Sequence, residues 1–241
     1  MKGLRFLYGF ILIAVLMPIP YARADDVSGK FSGNIGFFTD YVYRGVSQTD
    51  DSPALQGNVD FSFDDNFKIG VWGSNVDFDV PGDGPLELDF YASYNHELFR
   101  PETVGELGII YYVYPGAKSS LNYDYVEVYA SLSQKFDPVT FLLSLNYSPD
   151  FSGSGDAWYP RLTGTAELPQ DFSVEAWFGR QYIDDEAYYE LPDYNDWAVG
   201  ISYNPIEAVT IRAQYTNTDI SRSICEDNCG AKGVLSVNYS F

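Results

Sequence analysis

Apolar and polar residues alternate with a period of two over much of the chain. Leu235, Val237, Tyr239 and Phe241 are interleaved with Ser236, Asn238 and Ser240. Val139, Phe141, Leu143, Leu145 and Tyr147 are interleaved with Thr140, Leu142, Ser144 and Asn146. Phe172, Val174, Ala176 and Phe178 alternate with Ser173, Glu175, Trp177 and Gly179, and Trp197, Val199, Ile201 and Tyr203 with Ala198, Gly200 and Ser202. This is the period of a β-strand with one apolar face. Such runs predict twelve strands, near residues 30–44, 54–64, 67–77, 86–95, 103–114, 122–134, 139–148, 158–168, 172–182, 195–204, 208–217 and 232–241.

The connections carry a second pattern, because short ones and long ones take turns. Asp64-Asp65-Asn66, Gln134 to Pro138, Pro169-Gln170-Asp171 and Asn204 to Glu207 are short, and Asn95 to Glu102 is a longer member of that set. Gly45 to Pro53, Phe78 to Pro85, Pro115 to Leu121, Pro149 to Ala157, Ile183 to Tyr194 and Thr218 to Ala231 are long, and rich in turn-forming residues. A soluble sandwich has no reason to gather every long loop at one end. An up-and-down antiparallel barrel crossing a membrane does, with an even strand number and strands of about ten residues. The expected fold is therefore all-β, a transmembrane barrel of about twelve strands whose apolar face is the outer one. A miscounted hairpin would make it ten or fourteen.

The first residues do not follow the pattern. Lys2 and Arg5 precede an apolar run from Phe6 to Ile19, and Ala22-Arg23-Ala24 follows as a small-residue cleavage site. Residues 1–24 are expected to be a secretory signal peptide cut after Ala24, which leaves residues 25–241 as the barrel domain. The formal charge of the whole chain is −20, and losing Lys2, Arg5 and Arg23 makes it more negative. Such a balance excludes nucleic acid as a partner, because phosphates need a basic face. Disorder is excluded as well, since 17% of residues are aromatic. Tyr94, Tyr111, Tyr147, Trp197, Tyr203, Tyr215 and Tyr239 have the outward parity near strand ends expected of interfacial rings.

Parity also assigns the lumen. With Phe31, Ile35, Phe37, Tyr41 and Tyr43 facing out, Asn34, Asp40 and Arg44 face in. Gln56, Asn58, Asp60, Lys68 and Trp72 follow, then Glu87, Asp89, Glu106, Glu127, Arg161, Glu167, Glu175, Asp196, Arg212 and Gln214. Asp40, Arg44, Gln56, Asp60, Lys68, Trp72, Glu106, Glu127 and Glu175 are the candidate functional residues, as a structural clasp or as the lining of a pore with both signs of charge. Acid predominates, which implies a preference for cations. Arg180 has outward parity near a loop end, where snorkelling accommodates it, and Pro160 weakens the start of its strand.

Other features carry less. Export makes a disulfide between Cys225 and Cys229 the expected state, over free thiols or a metal site lacking a nearby His. The acidic loop with Asp184, Asp185 and Glu186 lacks EF-hand spacing. His96 is the single histidine and falls in a short turn, away from the outer leaflet where a barrel-borne lipid hydrolase would need its base. No catalytic residue, cofactor or metal is expected.

The segment from Ser32 to Phe61 then resembles a family signature. Asp40, Tyr41, Arg44, Gly45, Ser47, Gln48, Thr49, Pro53, Ala54, Gln56, Gly57 and Asp60 match it, followed by Gly70, Trp72, Ser74, Asn75, Val76 and the stretch Glu87 to Tyr94. These positions resemble the TorF family of proteobacterial porin-type proteins, densely to about residue 95 and more loosely beyond. The resemblance implies the outer membrane of a Gram-negative bacterium and passage of small solutes or ions. It brings no assigned catalytic or binding residue. Outer-membrane lipid and lipopolysaccharide are the expected surroundings. A closed-lumen structural or surface-interaction barrel is the alternative, and a lipid-modifying enzyme is disfavoured by His96. Tyr239-Ser240-Phe241 looks like the closing-strand signal read by the barrel-assembly machinery. Deleting Phe241 is expected to impair assembly, measured as loss of the heat-modifiable folded band; unimpaired assembly would remove that role.

Overall fold

The alternating runs become strands in the computed structural model, which describes residues 29–98, 102–189, 191–225 and 227–241. The proposed signal peptide lies outside the described residues. In chain order the strands are β1 (Lys30–Phe38), β2 (Val42–Tyr43), β3 (Val46–Ser47), β4 (Ala54–Ser62), β5 (Phe67–Asn75), β6 (Leu86–Glu97) and β7 (Thr103–Val113). They continue as β8 (Tyr125–Phe136), β9 (Val139–Ser148), β10 (Ala157–Leu168), β11 (Phe172–Ile183), β12 (Tyr194–Ile206), β13 (Val209–Thr218) and β14 (Lys232–Ser240). Two short helices, α1 (Glu186–Tyr189) and α2 (Arg222–Cys225), lie in long loops.

Twelve of these strands form one closed antiparallel barrel, in which β1 pairs with β4 on one side and β14 on the other. Closure places Ile35 opposite Tyr239 and Phe37 opposite Val237. It continues to the last residue, where Gly33 and Phe241 exchange two backbone hydrogen bonds of 3.0 Å each. The β2–β3 hairpin is separate from the barrel wall.

Parity decides what each face presents. Phe31, Ile35 and Phe37 of β1, Leu55 and Val59 of β4, and Leu235 and Val237 of β14 are exposed on the outside. At mid-height Leu143 of β9 lies opposite Leu132 of β8 and Leu162 of β10, and all three are exposed. A continuous apolar exterior of this kind suits a hydrocarbon surround, since the backbone groups beneath it are paired within the sheet. Inward positions are mostly small, polar, charged or aromatic.

Short turns join the strands at one end. In the first, backbone N–H groups of Asn66 (2.8 Å) and Phe67 (2.7 Å) both donate to Asp64 Oδ1, and these bonds hold the Asp64 carboxyl below the usual range. Pro160 sits within β10, and the β10–β11 ladder skips Tyr159 and Pro160 before resuming at Arg161. Arg180 extends towards the loop, its Nη2 3.7 Å from Asp193 and its guanidinium 4.8 Å from the ring centre of the exposed Tyr182.

One expectation about the wall is overturned. The first strand does not run to Arg44. It leaves the wall after Phe38, and the segment from Asp40 to Ser47 turns into the barrel, while Asp50 to Pro53 are exposed. Tyr41 and Tyr43 therefore face the interior, not lipid: Tyr41 packs on Trp72 at 5.3 Å and Tyr43 on Tyr112 at 6.2 Å between ring centres. Asp40 and Arg44 accordingly do not share a strand face. With the chain in a bilayer, Leu143→Arg is expected to cost about 2–4 kcal/mol of folding stability, from placing a charge at the midplane. Ser144→Arg, facing inward, is expected to cost less; equal losses in denaturant titrations would contradict the parity.

Candidate functional site

The inward segment begins where β1 gives up its pairing. Thr39 makes the last links, its N–H donating to the Leu235 carbonyl (2.9 Å) and its hydroxyl accepting from the Leu235 N–H (3.0 Å). Asp40 then organises the hairpin. Its Oδ1 accepts from Ser47 Oγ at 2.6 Å and from Thr49 Oγ1 at 3.1 Å, while the Gln48 N–H donates to the Tyr41 carbonyl at 2.7 Å. Arg44 has φ +48° and Gly45 has φ +81°. A Cβ on Gly45 would sit 2.3 Å from Thr218 Cγ2, so only glycine lets this turn press against β13. The hairpin is also tied to the long loops. Ser47 N–H donates to the Asn228 carbonyl (2.8 Å), Asp77 N–H to the Gln48 carbonyl (2.8 Å), and Lys232 pairs with Asp51.

At the hairpin tip Arg44 spans the lumen. Its Nη2 donates to both Glu127 oxygens at 2.7 Å, and its Nη1 donates to Gln181 Oε1 at 2.7 Å. Glu127 belongs to β8 and Gln181 to β11, across the barrel from β1. The two charged side chains are only 5% and 1% exposed, so the pair is a desolvated one. Its remaining bonds are supplied locally: Glu127 Oε2 also accepts from Tyr112 (3.2 Å) and Asn146 (3.1 Å). The guanidinium lies 4.7 Å from the Tyr43 ring centre and 4.2 Å from that of Tyr159.

Around this pair lie buried inward side chains of the long-loop end. Tyr112, Tyr125, Tyr159, Tyr194, Phe151, Gln181 and Asp196 are all buried. Tyr112 and Tyr125 stack at 4.2 Å, and Phe151 meets Tyr125 edge-on at 4.8 Å. A cavity of about 450 Å³ lies on the lumen side, lined by Arg44, Arg161, Trp177 and Arg212 among others. A second, of about 500 Å³, lies among the long loops, with Tyr114, Tyr123 and Tyr188 in its lining. Tyr43 borders both, so the hairpin is the partition between them.

With this geometry in place, likeness to known proteins becomes informative. A family model described as a bacterial protein of unknown function (Gcw_chp) matches residues 23–241. The chain belongs to the Gcw_chp family. A search of curated proteins found no relative by sequence. Among solved structures the chain resembles the KdgM porin, at TM-score 0.61 and 10% identity, covering 87% of this chain and 99% of that one. It resembles the NanC porin at TM-score 0.58 and 13% identity, covering 88% and 99%. The COG4313 outer membrane channel from Pseudomonas putida F1 is similar at TM-score 0.54 and 13% identity, covering 88% and 94%. At such identities these likenesses establish the fold of the Gcw_chp protein.

The nine residues singled out by sequence divide into separate groups. Arg44 meets Glu127, while Asp40 bonds within the inward hairpin; Gln56 lines the cavity beneath it, and Trp72 supports Tyr41. Asp60 and Lys68 line a smaller cavity nearer the short turns, where Asp60 accepts from Tyr91 and from Asn58 (2.7 Å). Glu106 accepts from Tyr129 at 2.5 Å, and Glu175 pairs with Arg212 at 2.7 Å. Arg44 therefore meets neither Asp40 nor Asp60; its acidic partner lies on β8. Gln181, Tyr159 and Phe151 were not singled out. Strand parity marks the first two as inward, but no local signal places Phe151, a loop residue. His96 is exposed at the short-turn end of β6, its ring 6.3 Å from that of Tyr94. Cys225 and Cys229 are adjacent, with Cα atoms 5.9 Å apart, a spacing a disulfide spans.

Removing one partner of the buried pair strands the other. Arg44→Ala is expected to destabilise the barrel by about 3–5 kcal/mol. Adding Glu127→Leu is expected to recover part of that loss in the same urea titration. An Arg44→Ala protein as stable as the parent would show that the pair does not hold the plug.

Proposed function

We propose that the protein is a porin-like channel in the outer membrane of a Gram-negative bacterium, passing small solutes or ions passively. The observation that carries this reading is a closed barrel with an apolar exterior around a polar, cavity-bearing lumen. The named neighbours support it as porins and channels, and the resemblance to the TorF family points the same way. One neighbour is described as the KdgM porin in complex with disordered oligogalacturonate, which makes charged solutes a reasonable class to test. Under this reading lipid and lipopolysaccharide surround the apolar band, the acidic long loops face outward, and Cys225 and Cys229 form a disulfide there. Phe241 presents the chain to the assembly machinery.

The acid-rich lumen needs a refinement within this reading. Glu127 and Glu175 are matched by Arg44 and Arg212, while Tyr159 and Trp177 donate to Asp196 at 2.7 and 2.9 Å. Two of these lumen carboxylates are thus paired with arginine, whereas Asp196 accepts from neutral donors and keeps its charge.

The plug favours a second reading, a closed barrel serving a structural or surface role. Planar-bilayer recording separates the two. The parent protein is expected to show small or intermittent conductance, and excising residues 42–47 is expected to raise it severalfold. A conducting parent that the excision leaves unchanged would show that the hairpin is not the constriction. Silence from both proteins would favour the structural barrel.

A further inference from the structure

Three of the four charged side chains lining the cavity under the hairpin are basic, in a chain that is acidic as a whole. Its charged lining among the described residues is Asp40, Arg44, Arg161 and Arg212. Asp40 is buried and engaged by Ser47 and Thr49, and Arg44 is consumed by Glu127 and Gln181. Arg161 differs. It forms no ion pair among the described residues, and its one hydrogen bond runs from Nε to Thr163 Oγ1 at 3.1 Å. Both of its terminal nitrogens are left without a partner among the described residues.

The wall around Arg161 holds it in place. Its guanidinium lies 4.2 Å from the Trp177 ring centre, and Trp177 is fixed in turn by its 2.9 Å bond to Asp196. Along the same wall Arg212 donates from Nη2 to Glu175 (2.7 Å) and from Nε to Gln214 (3.1 Å), which leaves Nη1 uncommitted. Arg212 crosses β12 at Gly200, where a Cβ would come within 2.9–3.0 Å of the guanidinium. Glycine at that position lets Arg212 lie flat and join β13 to β11. Planar guanidinium forks held by an aromatic face and a carboxylate are suited to binding carboxylates with two parallel hydrogen bonds.

We propose that the β10–β13 wall of this cavity is a binding subsite for small organic anions carrying carboxylate groups, with Arg161 as anchor and Arg212 as second arm. A volume of about 450 Å³ admits a solute of that size. The subsite lies on the conduction path if the channel reading holds, but binding itself does not require conduction.

The test uses the full mature protein in detergent micelles, with succinate as the probe and succinamide as its neutral isostere. Trp177 provides the signal, read as the fluorescence change lost in Trp177→Phe. Succinate is expected to saturate this signal, and succinamide is not. Arg161→Gln is expected to weaken binding about tenfold or more, and Arg212→Gln to a lesser extent. Heat-modifiable gel mobility verifies that each variant is folded. Should Arg161→Gln fail to fold, Arg161→Lys keeps the charge without the fork, and is expected to weaken binding severalfold. No saturable response, equal response to succinamide, or an affinity indifferent to both arginine variants would overturn the subsite. Binding without conductance would sink the channel reading alone; conductance without binding would sink the subsite alone.

Discussion

Closure is the constraint on which this structure depends. A backbone amide or carbonyl facing hydrocarbon has no water to bond, so each must find its partner in the sheet. Pairing of β1 with β14 removes the two edges that an open twelve-stranded sheet would leave. It extends to Phe241, whose backbone completes the seam with Gly33. Once the sheet is closed, the two side-chain faces have separate environments. Leucines and aromatics occupy the outer face, and the ion pairs of Arg44 with Glu127 and Arg212 with Glu175 lie inside.

Closure also creates the problem that the first loop solves. A ring of twelve strands encloses more space than wall side chains alone fill. Here the segment after β1 enters that space and brings Arg44 to an acid and an amide on the far wall. The buried pair is tolerable because both Glu127 oxygens hold one guanidinium nitrogen, Gln181 takes another, and Tyr112 and Asn146 donate to the carboxylate as well. The aromatic residues beside it exclude water and give the guanidinium ring faces to rest on. The plug is thus a polar clasp inside an aromatic collar, attached to the long loops through Ser47, Gln48 and Asp51.

Charge on this protein is a matter of location. The net charge of −20 belongs to the chain as a whole, and much of it is carried by loops and turns. Inside, carboxylates are mostly matched by arginine or by tyrosine and tryptophan donors. Among the described residues the guanidinium of Arg161 keeps both terminal nitrogens uncommitted in the cavity. Composition averages over these situations, so it predicts solubility and excluded partners better than it predicts what a solute meets.

The sequence by itself determined the wall. The period-two runs locate all twelve barrel strands, and β9 falls at residues 139–148 as read. Parity correctly turns Glu106, Glu127, Glu175 and Arg212 inward, because a strand must place successive residues on opposite faces. Such information is local and therefore legible. Only the tertiary structure decided the interior. Tyr41 and Tyr43 continue the alternating pattern of β1, yet the chain leaves the wall after Phe38, and residues 41–45 meet Trp72 of β5, Glu127 of β8, Gln181 of β11 and Thr218 of β13 instead. The match of Arg44 with Glu127 spans 83 positions in sequence. No periodicity records such a contact, since it arises only when the closed barrel brings opposite strands face to face across a lumen narrow enough for one arginine to cross.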